Sequence, residues 1–474
     1  MLPRLQRKLA GRSRPVSIIP PTVRQVKVLI WIYFFLLIFE GSLRKWVLPA
    51  LSDPLLLIRD PVVLLIYLQA IRGGFFPQHW LVKMTIWLGV VTFFWGCVHI
   101  FDEGSYRMAL VTLYGVRTFF LHLPLIFIIG HVFKREDVLK VGKWCLIMAV
   151  PMAFLMVAQY KVDSGHWLNK ATTGDDSSQI QAAMGHVRPP GTFSFITGPA
   201  TFYPLVTAFL IFGVMKARIY PILLLVAAAG ATFLVMPVSG SRSVLLGCIL
   251  VVLMATVVLV RMPSLIPRFA IWAAAIAFGG LALLTLPVGR EAVESFTTRW
   301  NSAADSEGEG QGAQAGIVNR LGGSFLNVFD SLDRIPMAGY GIGVGTNVGS
   351  KLLSGGVGFL LAEAEWERVV MEAGPVLGFI YIGFRIVLTF FLLHLAWRQL
   401  GQSDPLPWLL MGCCAINLVM GQTAQPTTLG FMVFIAGLSL SSVGVMQKRE
   451  PVSENRLRWL EQKKRVKAAG GSSL

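Results

Sequence analysis

Apolar residues in this chain occur in long runs, and polar residues collect in the connections between those runs. A helix needs about 20 consecutive apolar residues to cross a hydrocarbon layer of about 30 Å. Runs near that length recur along most of the 474 residues. They predict roughly twelve membrane-spanning helices, at approximately 26–41, 53–71, 80–101, 108–130, 139–160, 194–215, 219–237, 243–261, 268–288, 370–396, 405–422 and 427–446.

The composition supports the same fold class. By length alone the chain could form about three soluble domains. However, 54% of its residues are hydrophobic and only 14% are charged. Such a chain buries its apolar surface in lipid and keeps its charges in loops. We therefore expect an all-α polytopic membrane protein.

One stretch breaks the pattern by staying polar for roughly eighty residues, from Arg290 to about Glu372. It begins with an acidic patch, 301–311, that we expect to be flexible. In 316–334, apolar residues recur at steps of four and three, which predicts an amphipathic helix at the membrane interface or over a cavity mouth. A glycine-rich turn follows at 339–349, and the charged segment 363–368 enters the next helix.

Basic residues predict the orientation of the chain. Residues 1–27 hold seven Lys or Arg and no acidic residue, and 448–467 hold eight basic residues against three Glu. Alternate loops are also basic, so the positive-inside rule places both termini in the cytoplasm and the long polar stretch outside it. The expected organisation is a basic tail at 1–27, nine helices within 28–289, a large outer loop at 290–369, three helices within 370–446 and a basic tail at 447–474.

The net charge of +17 raises the question of a nucleic-acid partner. Much of the excess lies in the two tails that flank membrane helices, where basic residues contact anionic lipid. We therefore expect the lipid bilayer as a partner and no nucleic acid.

Cofactor and metal motifs are weak throughout. The five cysteines lie in apolar segments without zinc-ligand spacing, and the histidines are scattered. Gly341-x-Gly343-x-Gly345 lacks the Gly-Lys-Ser/Thr of a phosphate loop and follows no predicted strand. The sequence predicts neither a metal site nor a cofactor.

Charged residues near or inside the first, second and fourth predicted spans are the first candidate site. They are Glu40, Arg44, Lys45, Arg59, Asp60 and Arg117, with His122 five residues after Arg117. Charges at such depth are costly and pair with one another or line a cavity. One interpretation is that Arg117 pairs with Asp60 or Glu40 and holds helices together. The other is a polar cavity, open to the outside, that binds an anion.

Four arginines on the predicted outer side form a second candidate site: Arg188, Arg242, Arg320 and Arg368. A guanidinium donates parallel hydrogen bonds and stays charged at any relevant pH, which suits phosphate groups. The Ser239-Gly-Ser turn before a predicted helix adds free backbone N–H groups. Together these arginines indicate a phosphate-binding surface.

Acidic residues at the entry to the tenth span, above all Glu363 and Glu365, admit two interpretations. Carboxylates are favoured at helix N-termini by the helix dipole. Alternatively, one of them is a general base beside the arginines, since desolvation at the lipid boundary would help it accept a proton from a hydroxyl.

Four short motifs, in order along about 110–440, resemble the O-antigen polymerase and O-antigen ligase superfamily. Arg188-Pro-Pro-Gly-Thr-Phe resembles its Arg-x-x-Gly-Thr-Phe segment, and Ser239-Gly-Ser-Arg resembles its Ser-Gly-Ser-Arg element. Arg320, followed by Pro336-Met-Ala-Gly-Tyr-Gly, resembles its Arg, helix and Pro-x-x-Gly-x-Gly order. Glu372-Ala-Gly-Pro-Val-Leu-Gly resembles the Glu-x-Gly-x-x-Gly that opens the next helix, with one more residue before the last glycine.

The resemblance implies a GT-C-like, metal-independent glycosyltransferase of the bacterial inner membrane. Such enzymes use polyprenyl-diphosphate-linked glycans at the periplasmic face, and Arg188, Arg242 and Arg320 would bind the diphosphate. One position departs from the family. Ligases carry His-Asn about nine residues before the glutamate that matches Glu372, and this chain has Glu363-Ala instead.

That departure favours a polymerase of lipid-linked repeat units, for an exopolysaccharide or O-antigen, over a ligase that moves glycan onto a lipid or protein. An inverting transfer with a carboxylate base is expected, and a chain-length regulator or export complex is a further candidate partner. The alternative of another class is a polysaccharide or anion transporter, or a flippase, in which Arg59 and Arg117 guide an anionic substrate.

Overall fold

Helices make up nearly all of the part of the chain that the structure describes. The computed structural model describes residues 20–103, 105–172, 186–285, 287–307, 328–329, 332–355, 361–362 and 364–444, and these contain no strand. The helices are α1 (Pro21–Ser42), α2 (Ser52–Leu55), α3 (Arg59–Arg72), α4 (Trp80–Glu103), α5 (Tyr106–Val116), α6 (Leu125–Val132), α7 (Arg135–Lys161), α8 (Thr197–Met215), α9 (Ile222–Val238), α10 (Arg242–Arg261), α11 (Ile266–Leu284), α12 (Pro287–Glu307), α13 (Asn347–Ser354), α14 (Glu365–Leu400), α15 (Leu406–Met420) and α16 (Pro426–Val443).

The apolar runs fold as predicted. Nine helices among the described residues are long and apolar enough to cross a membrane. The pair 49–55 and 59–72, bent by 42°, would make a tenth, and two shorter apolar helices are α9 and α15. Each of the twelve predicted spans overlaps one of these elements. The chain is thus an all-α, multi-pass membrane protein, while twelve crossings stay a prediction.

The centre of the bundle is formed by helices that are apolar on every side. α8 and α16 are almost entirely buried, whereas α11 is almost entirely exposed. Small residues let the central helices come close: a methyl group added at Gly437 of α16 would lie 2.7 Å from Cβ of Ile129 in α6. Phe34 of α1 stacks on Phe434 of α16, with ring centroids 5.2 Å apart. The first helix is therefore anchored on the last.

The long polar stretch differs from its prediction at its start. α12 runs from Pro287 to Glu307, so residues 301–307 of the acidic patch, expected to be flexible, are helical. Ala292 and Ser295 are buried in the first part of this helix, before the acidic patch begins. Most of the predicted amphipathic helix 316–334 lies outside the described residues, and its end is a single 3₁₀ turn at Leu332–Arg334.

The tenth long apolar segment begins earlier than expected, and it contains a break. α14 starts at Glu365, so Glu365 and Arg368 lie inside the helix and not in the loop before it. Gly374 has φ 78° and ψ 164°, and Pro375 follows it. Proline has no N–H to donate and clashes with the preceding turn, so the carbonyls around residue 371 lose their helical donors.

The glycine-rich turn supplies the missing donors. Tyr340 N–H donates to the Met371 carbonyl at 2.7 Å, and Gly341 N–H donates to the Glu372 carbonyl at 3.2 Å. A Cβ at Gly374 would lie 2.1 Å from the Met337 carbonyl oxygen, so only glycine allows this approach. The start of the predicted turn therefore stabilises the break in α14, whereas residues 347–349, predicted as turn, already belong to α13.

Candidate functional site

The segment that carries Arg188 is docked on the end of α1. Thr192 Oγ1 donates to the Ile38 carbonyl at 2.7 Å, and Lys45 Nζ donates to the Gly191 carbonyl at 2.9 Å. A Cβ at Gly41 would lie 2.2 Å from the Ser194 backbone nitrogen, so glycine is required there for contact between the two backbones. Lys45 therefore contacts the segment at Gly191, three positions after Arg188 in sequence.

A buried amide fixes the turn of this segment. Gly191, with φ 63°, donates its N–H to Gln159 Oε1 at 2.8 Å. Gln159 Nε2 in turn donates to the Gly191 carbonyl at 3.2 Å and to the Leu168 carbonyl at 3.0 Å. Because Gln159 is fully buried, its hydrogen bonds define one position for the turn.

Five charged residues form a first buried group, which we call the N-terminal charge cluster: Glu40, Arg44, Arg59, Asp60 and Arg117. Glu40 accepts from Arg59 Nε at 2.9 Å, and its other oxygen lies 3.5 Å from Arg44 Nη1. Asp60 accepts from Arg117 Nε and Nη2 at 2.6 and 2.8 Å, a bidentate pair. The sequence offered Asp60 or Glu40 as the partner of Arg117, and in the structure the partner is Asp60.

A histidine and a tyrosine extend this cluster. His122 Nε2 lies 3.0 Å from Asp60 Oδ1, and Tyr33 Oη lies 3.0 Å from His122 Nδ1. Tyr33 was missed from sequence. It stands seven residues before Glu40, two helical turns along the same side of α1, and that spacing was its only signal.

A second buried group, the C-terminal charge cluster, consists of Glu365, Arg368, Glu372, Arg385 and Thr423, and each is at most 3% exposed. Glu365 Oε2 accepts from Arg368 Nη2 at 2.9 Å, and Oε1 accepts from Arg385 Nη1 at 2.7 Å and Thr423 Oγ1 at 2.8 Å. Arg368 Nη1 donates to Glu372 at 2.8 Å.

The glycine-rich turn closes this second cluster. The backbone N–H groups of Gly343 and Gly345 donate to the two oxygens of Glu372 at 2.9 and 3.0 Å. Glycine N–H groups of this turn thus hold a carboxylate of the protein itself. Together with the hydrogen bond from Tyr340 N–H to the Met371 carbonyl, they attach the turn to the backbone of α14 and to one of its side chains.

These contacts bear on two of the predicted roles. All three guanidinium nitrogens of Arg368 donate to Glu365, Glu372 or Thr423, so a diphosphate would have to displace carboxylates from it. Glu365 is likewise held by two guanidinium groups and a hydroxyl. Arg385 and Thr423 were missed from sequence, although an arginine within an apolar run is a signal in itself.

The other predicted residues lie as follows. Arg242 is the first residue of α10 and is half-buried, after a turn in which Ser241 N–H donates to Ser239 Oγ at 3.3 Å. Arg188 is half-buried, and its Nε is buried without a hydrogen-bond partner. Glu363 and Arg320 lie outside the described residues.

The candidate segments meet at one end of the bundle. A Cβ at Gly247 of α10 would lie 2.6 Å from Pro204 Cγ of α8, so the starts of both helices, at Arg242 and Thr197, lie at the same end. The 188–194 segment leads into α8 at that end. α15 passes Pro204 with Cys413 and ends beside the C-terminal charge cluster, where Arg385 donates to the Gly421 carbonyl.

Among the described residues, no group of three or more His, Cys, Asp or Glu side chains is placed to hold a metal ion. Comparison of the chain with protein-family models, with curated proteins and with solved structures gives no match.

Proposed function

We propose that this protein is a polymerase that joins polyprenyl-diphosphate-linked oligosaccharide repeat units at the periplasmic face of a bacterial inner membrane. One observation carries the proposal: the segments that hold Lys45 and Arg188 are in contact, and Arg242 begins a helix at the same end of the helical bundle. Cations gathered at one end of the helices suit an amphiphile whose anionic head lies at the surface and whose tail lies in lipid.

In the proposed reaction, a hydroxyl oxygen of the incoming repeat unit forms a bond to the anomeric carbon of the growing chain. The bond from that carbon to the diphosphate breaks with inversion, and the polyprenyl diphosphate leaves with the electron pair. Arg188 and Arg242 would stabilise the charge on the leaving group, with Arg320 as a third candidate. The hydroxyl proton passes to a carboxylate.

The contacts of Glu365 favour Glu363 as that carboxylate. A general base needs an oxygen within reach of the substrate hydroxyl. Both oxygens of Glu365 already accept hydrogen bonds from arginines, and the side chain is buried. Glu365 and Arg368 then have a structural role, in the packing of α14 beside the site.

The test uses cells that lack the chromosomal copy and carry variants on a plasmid. Arg242→Ala should leave protein abundance unchanged and abolish high-molecular-weight polysaccharide, because removal of one donor to a developing anion costs about 100-fold or more in rate. Arg268→Ala is the matched control, since Arg268 is exposed near the start of α11 at the opposite end of the bundle. Normal chain length in the Arg242 variant would refute the assignment.

One feature favours a second candidate function, a transporter for an anionic glycan. Transporters often place their substrate at interrupted helices, and α14 is interrupted at Gly374. A purified polymerase lengthens lipid-linked repeats in a single detergent phase. A transporter should not lengthen these repeats in any assay, and should only move the glycan across the membrane of a vesicle. The acceptor used in the same assay distinguishes a polymerase, which joins one lipid-linked repeat unit to another, from a ligase, which moves the glycan onto a lipid or protein.

A further inference from the structure

The imidazole of His186 connects three elements of the fold. His186 lies on the segment before α8, two residues before Arg188. Its Nδ1 lies 3.2 Å from the carbonyl oxygen of Tyr160, in the last turn of α7. Its Nε2 lies 3.0 Å from Oε1 of Glu291, near the start of α12. One side chain of the Arg188 segment therefore contacts both helices at once.

Both of these contacts need a proton on the imidazole ring. A backbone carbonyl and an ionised carboxylate only accept hydrogen bonds, so each ring nitrogen of His186 has to donate for both bonds to form. A neutral imidazole carries one N–H group, and an imidazolium carries two. A ring turned over by 180° would place carbon atoms against both oxygens and lose both bonds. The geometry is therefore that of a protonated histidine.

The surroundings of the ring also favour a cation. The last carbonyls of a helix have no donor within the helix and lie at the negative end of its dipole, where positive charge is stabilised. The Tyr160 ring stacks on the imidazole, with centroids 4.2 Å apart and planes inclined by 16°, so its negative face lies against the cation. The Tyr160 hydroxyl also reaches α12, 3.4 Å from the Glu291 carbonyl oxygen.

The charged groups around the ring have been assigned from each neighbouring element. Tyr160 faces it from α7, and Glu291 faces it from α12 as the carboxylate within ion-pair distance in the described part of the chain. Ser295 of α12 contacts the Tyr160 hydroxyl. Four further charged residues are neighbours in sequence and form no ion pair with His186 or Glu291 among the described residues: Lys161, Arg188, Arg290 and Glu294. The pair of His186 and Glu291 is therefore the charge-dependent contact of this region.

We propose that His186 is a pH-sensitive clamp that holds α12 and the Arg188 segment to the end of α7 while its imidazole is protonated. Histidine is the side chain that changes charge between about pH 5 and pH 8. Towards the lower end of this range both ring nitrogens donate. As the pH rises, one nitrogen loses its proton and presents a lone pair to an oxygen, so α12 is held less tightly. An effect on the position of Arg188 during the reaction rests on the proposed function, but the clamp does not.

The primary experiment measures hydrogen exchange by mass spectrometry on the purified full-length protein in nanodiscs, at about pH 5 and about pH 8. Exchange times are scaled to correct for the intrinsic dependence of amide exchange on pH. Because Glu291 is about half exposed, the amides of 288–300 in wild type should lose about two- to fivefold of their protection as the pH rises. Amides of α8, which is almost entirely buried, should keep theirs, which excludes a general loss of stability.

Two variants test the two partners of the ion pair. His186→Gln has no charge to lose, so the protection of 288–300 should be the same at both pH values. Glu291→Gln keeps an acceptor but removes the carboxylate, so it should reduce the pH dependence, and the result does not depend on the folding of one variant. His166→Gln is the matched control, because His166 is exposed in the loop after α7 and its ring accepts the Leu168 N–H. It should keep the pH dependence of wild type.

Three results would overturn the clamp. They are equal protection of 288–300 in wild type at both pH values, the full wild-type change in His186→Gln or Glu291→Gln, and loss of the change in His166→Gln. Hydrogen exchange is measured without any glycan or lipid-linked substrate. The clamp can therefore fail while the Arg242 polysaccharide test succeeds, and the reverse.

Discussion

At the scale of single residues, the buried charges differ in how completely they are satisfied. In the C-terminal charge cluster, Arg385 donates to Glu365 and to the carbonyls of Asn417, Leu418 and Gly421. Every described donor of Arg385 thus has an acceptor at the ends of α14 and α15. In the N-terminal charge cluster, Arg59 and Arg117 each keep an unused donor. The first arrangement is typical of a structural network, whereas the second leaves two buried guanidinium donors unsatisfied.

Removal of Arg385 should therefore destabilise the fold. Arg385→Met leaves part of the Glu365 charge and three backbone carbonyls without their donor, and breaking a buried pair costs about 3–5 kcal/mol. The free energy of unfolding, measured by titration with denaturing detergent in mixed micelles, should fall by that amount. Arg398→Met, on an exposed residue near the other end of α14, should change it by less than about 0.5 kcal/mol. Equal stability of the two variants would show that the network is not structural.

Among helices, α14 departs most from regular geometry, and its break has a local cause. Gly374 lies in the left-handed region, and the glycine-rich turn occupies the space beside it. Pro375 alone would leave unpaired carbonyls in the bundle, where no water is at hand to satisfy them. The turn satisfies them and also binds the Glu372 carboxylate, so turn and helix form one unit.

The break gives a matched pair of glycine substitutions in one helix. Gly374→Ala should lower the free energy of unfolding by about 1–3 kcal/mol or more, because it combines an unfavourable φ with a contact at the Met337 carbonyl. Gly383→Ala, where no atom lies within 4 Å of an added Cβ, should raise it by up to about 1 kcal/mol. Melting temperatures of the two purified variants provide the comparison, and a stable Gly374 variant would show that the break is not required.

At the scale of the whole molecule, the last residues of α1 and the first residues of α8, α10 and α14 lie at one end of the bundle. The side of the membrane that this end faces determines where the proposed reaction can occur. The basic tails and alternate basic loops predict that this end lies outside the cytoplasm. The proposed chemistry depends on that side, because lipid-linked repeats are polymerised in the periplasm in the superfamily that the motifs resemble.

Reporter fusions measure the orientation directly. A periplasm-active reporter inserted near residue 310 should be active, and one inserted near residue 402, between α14 and α15, should be inactive. A cytosolic reporter should give the opposite pattern at both positions. Activity of the cytosolic reporter at residue 310 would reverse the predicted topology and remove the proposed mechanism.

Sequence alone determined the helical membrane architecture, because lipid cannot satisfy backbone groups and so requires apolar segments of helical length. It also indicated Asp60 or Glu40 as a partner of Arg117, since a charge inside such a segment needs a partner, and only the structure showed that the partner is Asp60. It did not indicate that residues 301–307 continue a helix, because their composition is polar and acidic.

Tertiary structure decided the rest. Lys45 meets Gly191, Glu365 meets Thr423, and Gly343 meets Glu372 across 146, 58 and 29 positions of sequence. Such contacts depend on which helices are neighbours, and hydropathy determines only that the helices exist. The pairing of Glu365 with Arg385 therefore became visible only in the folded bundle.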